Sequence, residues 1–261
     1  MTDTGQDQLD IDRILGKTFV ARVEYHPTIG STNDRAKLLA AEGPGELPLL
    51  IVAGRQTAGR GRGANLWWTG SGSLAMTLLL GPDESAAGRF GRSPLIGLAA
   101  AVAIVETVRP LLPSEQLGIG WPNDVKAGGR KLAGILVETL SDGRQVLGIG
   151  INTNNRSADA PAELKSKVAT LLDLTGRRHD PTTFLAALLS QLERVLEQLA
   201  AQPDDIGDRV DRLCLQSGRV LELRFENRSV TGRCLGIARD GALLLETPSG
   251  RQAFYSGVVD G

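Results

Sequence analysis

At 261 residues, with 41% hydrophobic and 23% charged side chains, the chain has room for one large globular domain or a main domain with a small companion. Its 29 Lys and Arg against 30 Asp and Glu leave a net charge of −1, which excludes nucleic-acid binding through bulk electrostatics and confines any basic surface to a local patch. No apolar run has membrane-spanning length, the polar start Met1 to Asp12 lacks signal- or transit-peptide features, and the two cysteines, Cys214 and Cys234, have no metal-ligand spacing, so a cytoplasmic protein with reduced thiols is expected.

Taken in order, residues 18–25 alternate loosely and predict a first strand, broken by His26-Pro27-Thr28-Ile29-Gly30. Ser31-Thr32-Asn33-Asp34 then starts a helix that stops at Gly43-Pro44-Gly45. This polar cluster has two readings: a cap for orphan N–H groups, or hydrogen bonds to a polar ligand head. Residues 49–53 and 73–80 predict buried strands. Between them lies Gly54-Arg55-Gln56-Thr57-Ala58-Gly59-Arg60-Gly61-Arg62-Gly63. Glycine permits close backbone approach, and arginine offers a donor fork matched to carboxylate and phosphate. The loop is therefore either an anion clamp or a solvated hairpin tip. Trp67-Trp68, which follow it, either cover the end of the core or wall a pocket.

Residues 93–112, capped by Ser93-Pro94 and stopped by Pro110 and Pro113, predict an Ala-rich buried helix. Residues 117–121 predict a short strand ended by the turn Pro122-Asn123-Asp124. Val125-Lys126 and residues 131–138 form a hairpin around Gly128-Gly129. In the next strand, 146–152, Gly148 and Gly150 leave one face bare, so something should pack against that backbone. After a loop, helices are predicted at 163–174, from Asp180-Pro181 through Leu199, and at 206–215. Beyond Gln216-Ser217-Gly218, short strands at 220–225, 229–237, 242–246 and 252–255 are separated by Glu226-Asn227, Arg239-Asp240-Gly241 and Pro248-Ser249-Gly250, and predict a small all-β barrel. The expected division is a flexible segment at 1–17, a main domain at 18–215 and the barrel at 216–261.

The polar groups at the strand ends and turns combine uncharged hydrogen-bonding residues, a cationic loop, Lys131 and a bare glycine floor. That set suits a nucleotide-activated acid better than a redox cofactor. The loop is not a Walker A motif, since no Gly-Lys-Ser/Thr follows its glycines, nor a dinucleotide fingerprint, since a strand and not a helix comes next.

Ser31-Thr32-Asn33, Gln56-Thr57-Ala58-Gly59-Arg60-Gly61-Arg62-Gly63, Trp121-Pro122-Asn123-Asp124, Arg130-Lys131-Leu132-Ala133-Gly134-Ile135-Leu136-Val137-Glu138 and Gly148-Ile149-Gly150-Ile151-Asn152 resemble, in order, the motifs of the biotin protein ligases, or biotin–[acetyl-CoA-carboxylase] ligases. The resemblance covers residues 20–155, and the C-terminal segment is more loosely similar to the family's SH3-like domain. It implies an α+β fold, a mixed β-sheet catalytic domain of the class II aminoacyl-tRNA synthetase-like type packed with helices, plus a C-terminal SH3-like β-barrel. It also implies a two-step reaction: biotin and ATP form biotinyl-5′-AMP, and a lysine of the biotin carboxyl carrier protein takes the biotinyl group.

Carried over to this sequence, Ser31, Thr32, Asn33, Gln56, Gly59, Arg60, Gly61, Arg62, Lys131, Gly134 and Gly148 would contact biotin. Arg60, Arg62, Trp67, Asn123, Lys131 and Asn152 would contact the nucleotide, and Asp124 would stand near Mg²⁺. Arg62 and Lys131 would act on the reacting groups, with Gly150 in the floor. Neither DNA nor membrane is an implied partner. Pairing into a homodimer through the sheet is implied, with residues 135–138 as the edge. Three departures stand out: Gly120 replaces the basic residue that the family usually carries before Trp-Pro-Asn-Asp, Ala64 replaces a frequent glycine, and no winged-helix segment precedes the first strand. The alternatives are a lipoate–protein ligase and a non-catalytic ligand sensor or nucleic-acid module.

Overall fold

A computed structural model describes residues 9–43, 45–82, 95–225 and 228–260. Seven strands form the main sheet: β1 (Arg22–His26), β2 (Leu49–Ala53), β3 (Leu74–Leu80), β4 (Leu117–Gly120), β5 (Asp124–Ala127), β6 (Arg130–Thr139) and β7 (Gln145–Ile151). Their order is β1-β2-β3-β7-β6-β5-β4. Only β1 and β2 run parallel, so the sheet is mixed, as expected. Every residue of β2, β3 and β7 is buried, which matches their unbroken apolar runs and a sheet covered on both faces.

Helices α1 (Ile11–Lys17), α2 (Thr32–Glu42), α3 (Ile96–Val108), α4 (Leu171–Thr175), α5 (Pro181–Ala201) and α6 (Pro203–Arg212) surround it. The alanines of α3 let α5 approach on one side and β4 to β6 on the other, and the helix is buried almost all round. On the opposite face, Ala36 and Ala40 of α2 pack on Leu49, Ile51, Leu79 and Val146. The functional motifs emerge at the strand ends between these layers.

Three expectations need correction. The segment at 1–17 is not uniformly flexible: Asp10 caps α1 by accepting from Arg13 N at 2.9 Å, and Ile14 is fully buried. The apolar residues there, Leu9, Ile11, Ile14 and Leu15, form too short a run to mark a core helix from sequence, and the partner helix, α5, lies far along the chain. The first strand starts at Arg22 and not at residue 18. The helix expected at 163–174 shrinks to Leu171–Thr175, because the preceding backbone is used elsewhere. Lys131 N donates to Lys167 O at 2.7 Å and Ala169 N to Lys131 O at 2.9 Å, so residues 167–169 lie beside the start of β6. Pro44, the Ser93-Pro94 cap and the Glu226-Asn227 turn lie outside the described residues.

The C-terminal unit is a five-stranded antiparallel sheet in the order β11-β10-β9-β8-β12. It comprises β8 (Val220–Arg224), β9 (Ser229–Ile237), β10 (Leu243–Thr247), β11 (Gly250–Phe254) and β12 (Val258–Asp260), the last too short to be read from sequence. Gln216 fastens it to the main sheet, accepting from Trp121 N at 2.7 Å and donating to Trp121 O at 3.2 Å. Asp211 adds a bond to Ile237 N at 2.8 Å. Both cysteines are free thiols.

Candidate active site

Ser31 caps α2, its Oγ accepting from Asp34 N at 3.4 Å, so the capping reading holds for this residue. Thr32 and Asn33 in the first turn are buried against the sheet. Gln56 Oε1 accepts from Thr32 N at 2.8 Å and from Thr32 Oγ1 at 3.0 Å. Thr77 Oγ1 lies 2.8 Å from Thr32 Oγ1 and 2.7 Å from Asn33 Oδ1, and its single proton serves one of them at a time. Asn33 Nδ2 donates to Glu138 Oε2 at 3.0 Å. Apart from the Glu138 carboxylate this is an uncharged hydrogen-bonding cluster, and it lies beside the strand that Gly148 and Gly150 leave bare on one face. A Cβ on Gly148 would stand 2.8 Å from Asn33 Cγ, and one on Gly150 would stand 2.6 Å from Trp67 Cζ2. The bare strand thus makes room for the Asn33 amide and the Trp67 indole.

The Arg/Gly loop is a closed turn. Trp67 N donates to Gly59 O at 2.9 Å and Gly61 N to Asn65 O at 2.8 Å. Arg60 reaches Asp34 at 2.7 Å and Glu138 at 3.3 Å, and Asp34 chiefly holds its guanidinium above the usual arginine range, opposed by partial burial. Burial alone would raise Glu138 and Asp34, but the bonds from Asn33, Lys37 and Arg60 to Glu138, and from Lys37 and Arg60 to Asp34, outweigh it and hold both carboxyls below the ordinary range. Arg62 instead donates to the carbonyl of Gly257 at 2.8 Å, tying the loop to the C-terminal sheet.

Lys131 opens β6 with its ammonium 2.7 Å from Asp124 Oδ1, an ion pair without hydrogen-bond alignment, and 5.5 Å from the centre of the Trp67 ring. The Trp67 Nε1–H is buried without an acceptor among the described residues, a donor left for a ligand. Asn123 is pinned to β6, its Nδ2 donating to Ile135 O at 2.8 Å. Its side-chain oxygen has no hydrogen-bond donor among the described residues.

These groups line one cleft of about 1580 Å³, larger than the roughly 300–1,000 Å³ of a pocket for one small ligand. It brings together Ser31, Thr32, Asn33, Gln56, Arg60, Gly61, Arg62, Trp67, Asn123, Asp124, Lys131, Gly134, Gly148 and Gly150. Two expected contacts lie outside it. Gly59 is buried beneath the loop, where a Cβ would stand 2.6 Å from Trp67 O. Asn152 is 2% exposed; its Nδ2 donates to Lys131 O at 3.4 Å and its Oδ1 accepts from Asn155 Nδ2 at 2.9 Å, so it braces the backbone of Lys131 from beneath the cleft.

Sequence reasoning missed Thr77, Glu138 and the C-terminal contribution of Phe225, Arg228 and Gly257. Thr77 had a signal, being the one polar residue in Leu-Ala-Met-Thr-Leu-Leu-Leu. The others became visible only through tertiary contact. The strand at 135–138 is not a sheet edge in strand order, since β6 lies between β5 and β7. Its strand pairing with β5 nevertheless ends at Gly134, Asn123 takes the N–H and C=O of Ile135, and beyond Ile135 no strand pairs with that side of β6 among the described residues.

Among known families, the model described as the Biotin/lipoate A/B protein ligase family matches residues 25–154, and the Biotin protein ligase C terminal domain matches residues 217–260. The bifunctional ligase/repressor BirA of Bacillus spizizenii is 34% identical, over 90% of this chain and 73% of its own length. The biotin–[acetyl-CoA-carboxylase] ligase of Mycobacterium tuberculosis is 32% identical, over 83% of this chain and 80% of its own. The solved structure of the biotin protein ligase from Aquifex aeolicus in complex with biotin and ATP has a TM-score of 0.79 at 27% identity, covering 92% of this chain and 98% of that one.

Proposed function

Since the chain belongs to the biotin protein ligase family and is a ligase of that kind, we propose that it activates biotin as biotinyl-5′-AMP and passes the biotinyl group to a lysine of the biotin carboxyl carrier protein of acetyl-CoA carboxylase. The observation that carries this reading is one cleft, roomy enough for two ligands, with a neutral polar cluster and cationic groups in the same lining. The similar Aquifex enzyme, solved with biotin and ATP, supports the same pairing of ligands.

In the first step, a biotin carboxylate oxygen attacks the α-phosphorus, the bond from that phosphorus to the bridging oxygen breaks, and pyrophosphate leaves. Two anions must meet. Roughly 4 kcal/mol of repulsion per unit-charge pair at about 4 Å in a partly shielded site must be offset. Thr32, Asn33 and Gln56 would hold the ureido head and ring of biotin, with Gly148 keeping the floor open. Lys131 would bind the carboxylate and α-phosphate oxygens, exchanging Asp124 for the substrate, and would stabilise the charge that grows on them. Arg60 and Arg62 would close the loop over the adenylate and exclude water from the anhydride. No protein nucleophile is needed.

In the second step, a lysine amine of the carrier attacks the anhydride carbonyl, AMP leaves, and the nitrogen gives up a proton. Mg²⁺ fits the site as an ion held mainly by the phosphates: Asp124 offers one carboxylate, and no cluster of three His, Cys, Asp or Glu occurs among the described residues. Bound there, it would neutralise phosphate charge. The barrel at 216–261 would complete the cleft through Arg62 and Gly257. The side of β6 beyond Ile135, where no strand pairs with it among the described residues, would accept a second copy.

The test is biotin-dependent exchange of labelled pyrophosphate into ATP, followed by transfer of labelled biotin to the carrier, with lipoate as competitor. Exchange and transfer with biotin are expected. Exchange supported by lipoate and not by biotin, or by neither, would overturn the proposal.

A further inference from the structure

The cations of the cleft are not equally available to a polyanion. Arg60 is neutralised by Asp34 and Glu138, and Lys131 by Asp124. Lys126 also lines the cleft and has no carboxylate partner among the described residues. It stands on β5 two residues from Asp124, so strand alternation puts both side chains on the same face, while Val125 and Ala127 are buried on the other. Its cross-strand neighbours are Gly118 on one side and Lys131 on the other.

The neighbouring glycine explains how this lysine enters the cleft. A Cβ on Gly120 would lie 2.9 Å from Lys126 Cε, 3.2 Å from Cδ and 3.5 Å from Cγ. The aliphatic stem therefore crosses the bare Cα of Gly120. That glycine has no positive φ, so space and not backbone conformation calls for it. Any side chain at 120 would displace the stem. The resulting arrangement is a lysine whose methylenes lie along a side-chain-free strand end while its charged head is left to solvent and ligand.

We propose that Lys126 binds the β- and γ-phosphates of the nucleotide and the departing pyrophosphate, with Gly120 as the track for its stem. The assignment deepens the biotin-adenylation reading and rests on it for the identity of the polyanion. Lys131 serves the carboxylate and α-phosphate, and Lys126, its cross-strand neighbour, serves the remainder of the chain of phosphates. This also accounts for a glycine directly before Trp121: the cation arrives from the adjacent strand.

The experiment uses the full chain and three readouts: the KM for ATP in biotin-dependent exchange, direct binding of Mg-ATP and of inorganic tripolyphosphate by calorimetry, and binding of biotin alone. For Lys126→Met, KM for ATP and tripolyphosphate affinity should worsen about ten- to a hundred-fold, the size of one charge-assisted contact, while biotin affinity stays within about two-fold. Retained biotin binding also reports that the variant is folded. Lys126→Arg should keep most of the polyphosphate affinity. Gly120→Lys in a Lys126→Ala background, where the space is vacated, should recover it.

A Lys126→Met variant with unchanged KM for ATP, or with biotin binding reduced as much as polyphosphate binding, overturns the proposal. Failure of the Gly120→Lys exchange to recover binding overturns the crossing geometry. If the parent binds tripolyphosphate through Lys126 yet shows no exchange with biotin, the adenylation reading fails and the phosphate site stands. Exchange that is indifferent to Lys126 has the opposite meaning.

Discussion

Gly148→Ala tests the cluster at the floor of the cleft, because the new methyl would stand 2.8 Å from Asn33 Cγ and still closer to its Oδ1. Gly148 is not held at positive φ, so the substitution adds no backbone strain. The amide must move, and it gives up two bonds: from its Nδ2 to Glu138 at 3.0 Å and from Thr77 to its Oδ1 at 2.7 Å. The first, to an ionised and partly buried carboxylate, is worth about 1.5–3 kcal/mol, and the second about 1 kcal/mol. Loss of unfolded-chain entropy returns about 0.4–1 kcal/mol. The net cost should be about 2–3 kcal/mol of stability, read from urea unfolding by linear extrapolation.

Biotin affinity should fall with stability, since under the proposed function the same amide holds biotin. In an Asn33→Ala background the methyl has room, so the double-mutant cycle should return a coupling of about 2 kcal/mol. A Gly148→Ala change under about 0.5 kcal/mol, or additive with Asn33→Ala, would refute the reasoning.

Lys131→Ala should lower the rate of adenylate formation about a hundred- to a thousand-fold while biotin affinity changes only a few-fold, as single-turnover kinetics and calorimetry would report. Equal losses would reduce Lys131 to a binding residue. Arg62→Gly removes the tie to Gly257 O and should speed escape of biotinyl-5′-AMP into solution; release at the parent's rate would count against a closing loop. Asp34 and Glu138 lie below their ordinary values of 3.8 and 4.5, so their stabilising contribution is complete above that range and is lost as pH falls through the folded-state values. An Asp34→Asn/Glu138→Gln protein should therefore lose less stability than the parent between about pH 5 and about pH 3. Equal acid sensitivity would show that these pairs do not matter to folding.

Much of the cleft was legible in the sequence because its parts are short and local. Gly148 and Gly150 in an apolar strand announce that a neighbour needs the space, and the neighbours proved to be Asn33 and Trp67. Ser31 before a helix announces a cap, and the Arg/Gly loop between two buried strands, read from sequence as either an anion clamp or a solvated tip, lies in the cleft lining. The helix expected at 163–174 failed for an equally physical reason: β6 takes the backbone groups of residues 167–169, and helix propensity yields to that pairing.

The sequence by itself determined the strands of the core, the α3 and α5 helices, the polar clusters at their ends and the order of the family's motifs, because apolar periodicity and turn chemistry act within a dozen residues. Only the tertiary structure decided which charges cancel and which remain. Arg60 meets Asp34 and Glu138, Lys131 meets Asp124, and Arg62 crosses to Gly257, while Lys126 lies over Gly120 with its charge unspent. Coulombic pairing depends on distances between residues far apart in the chain, and those distances exist only once the sheet has set its register.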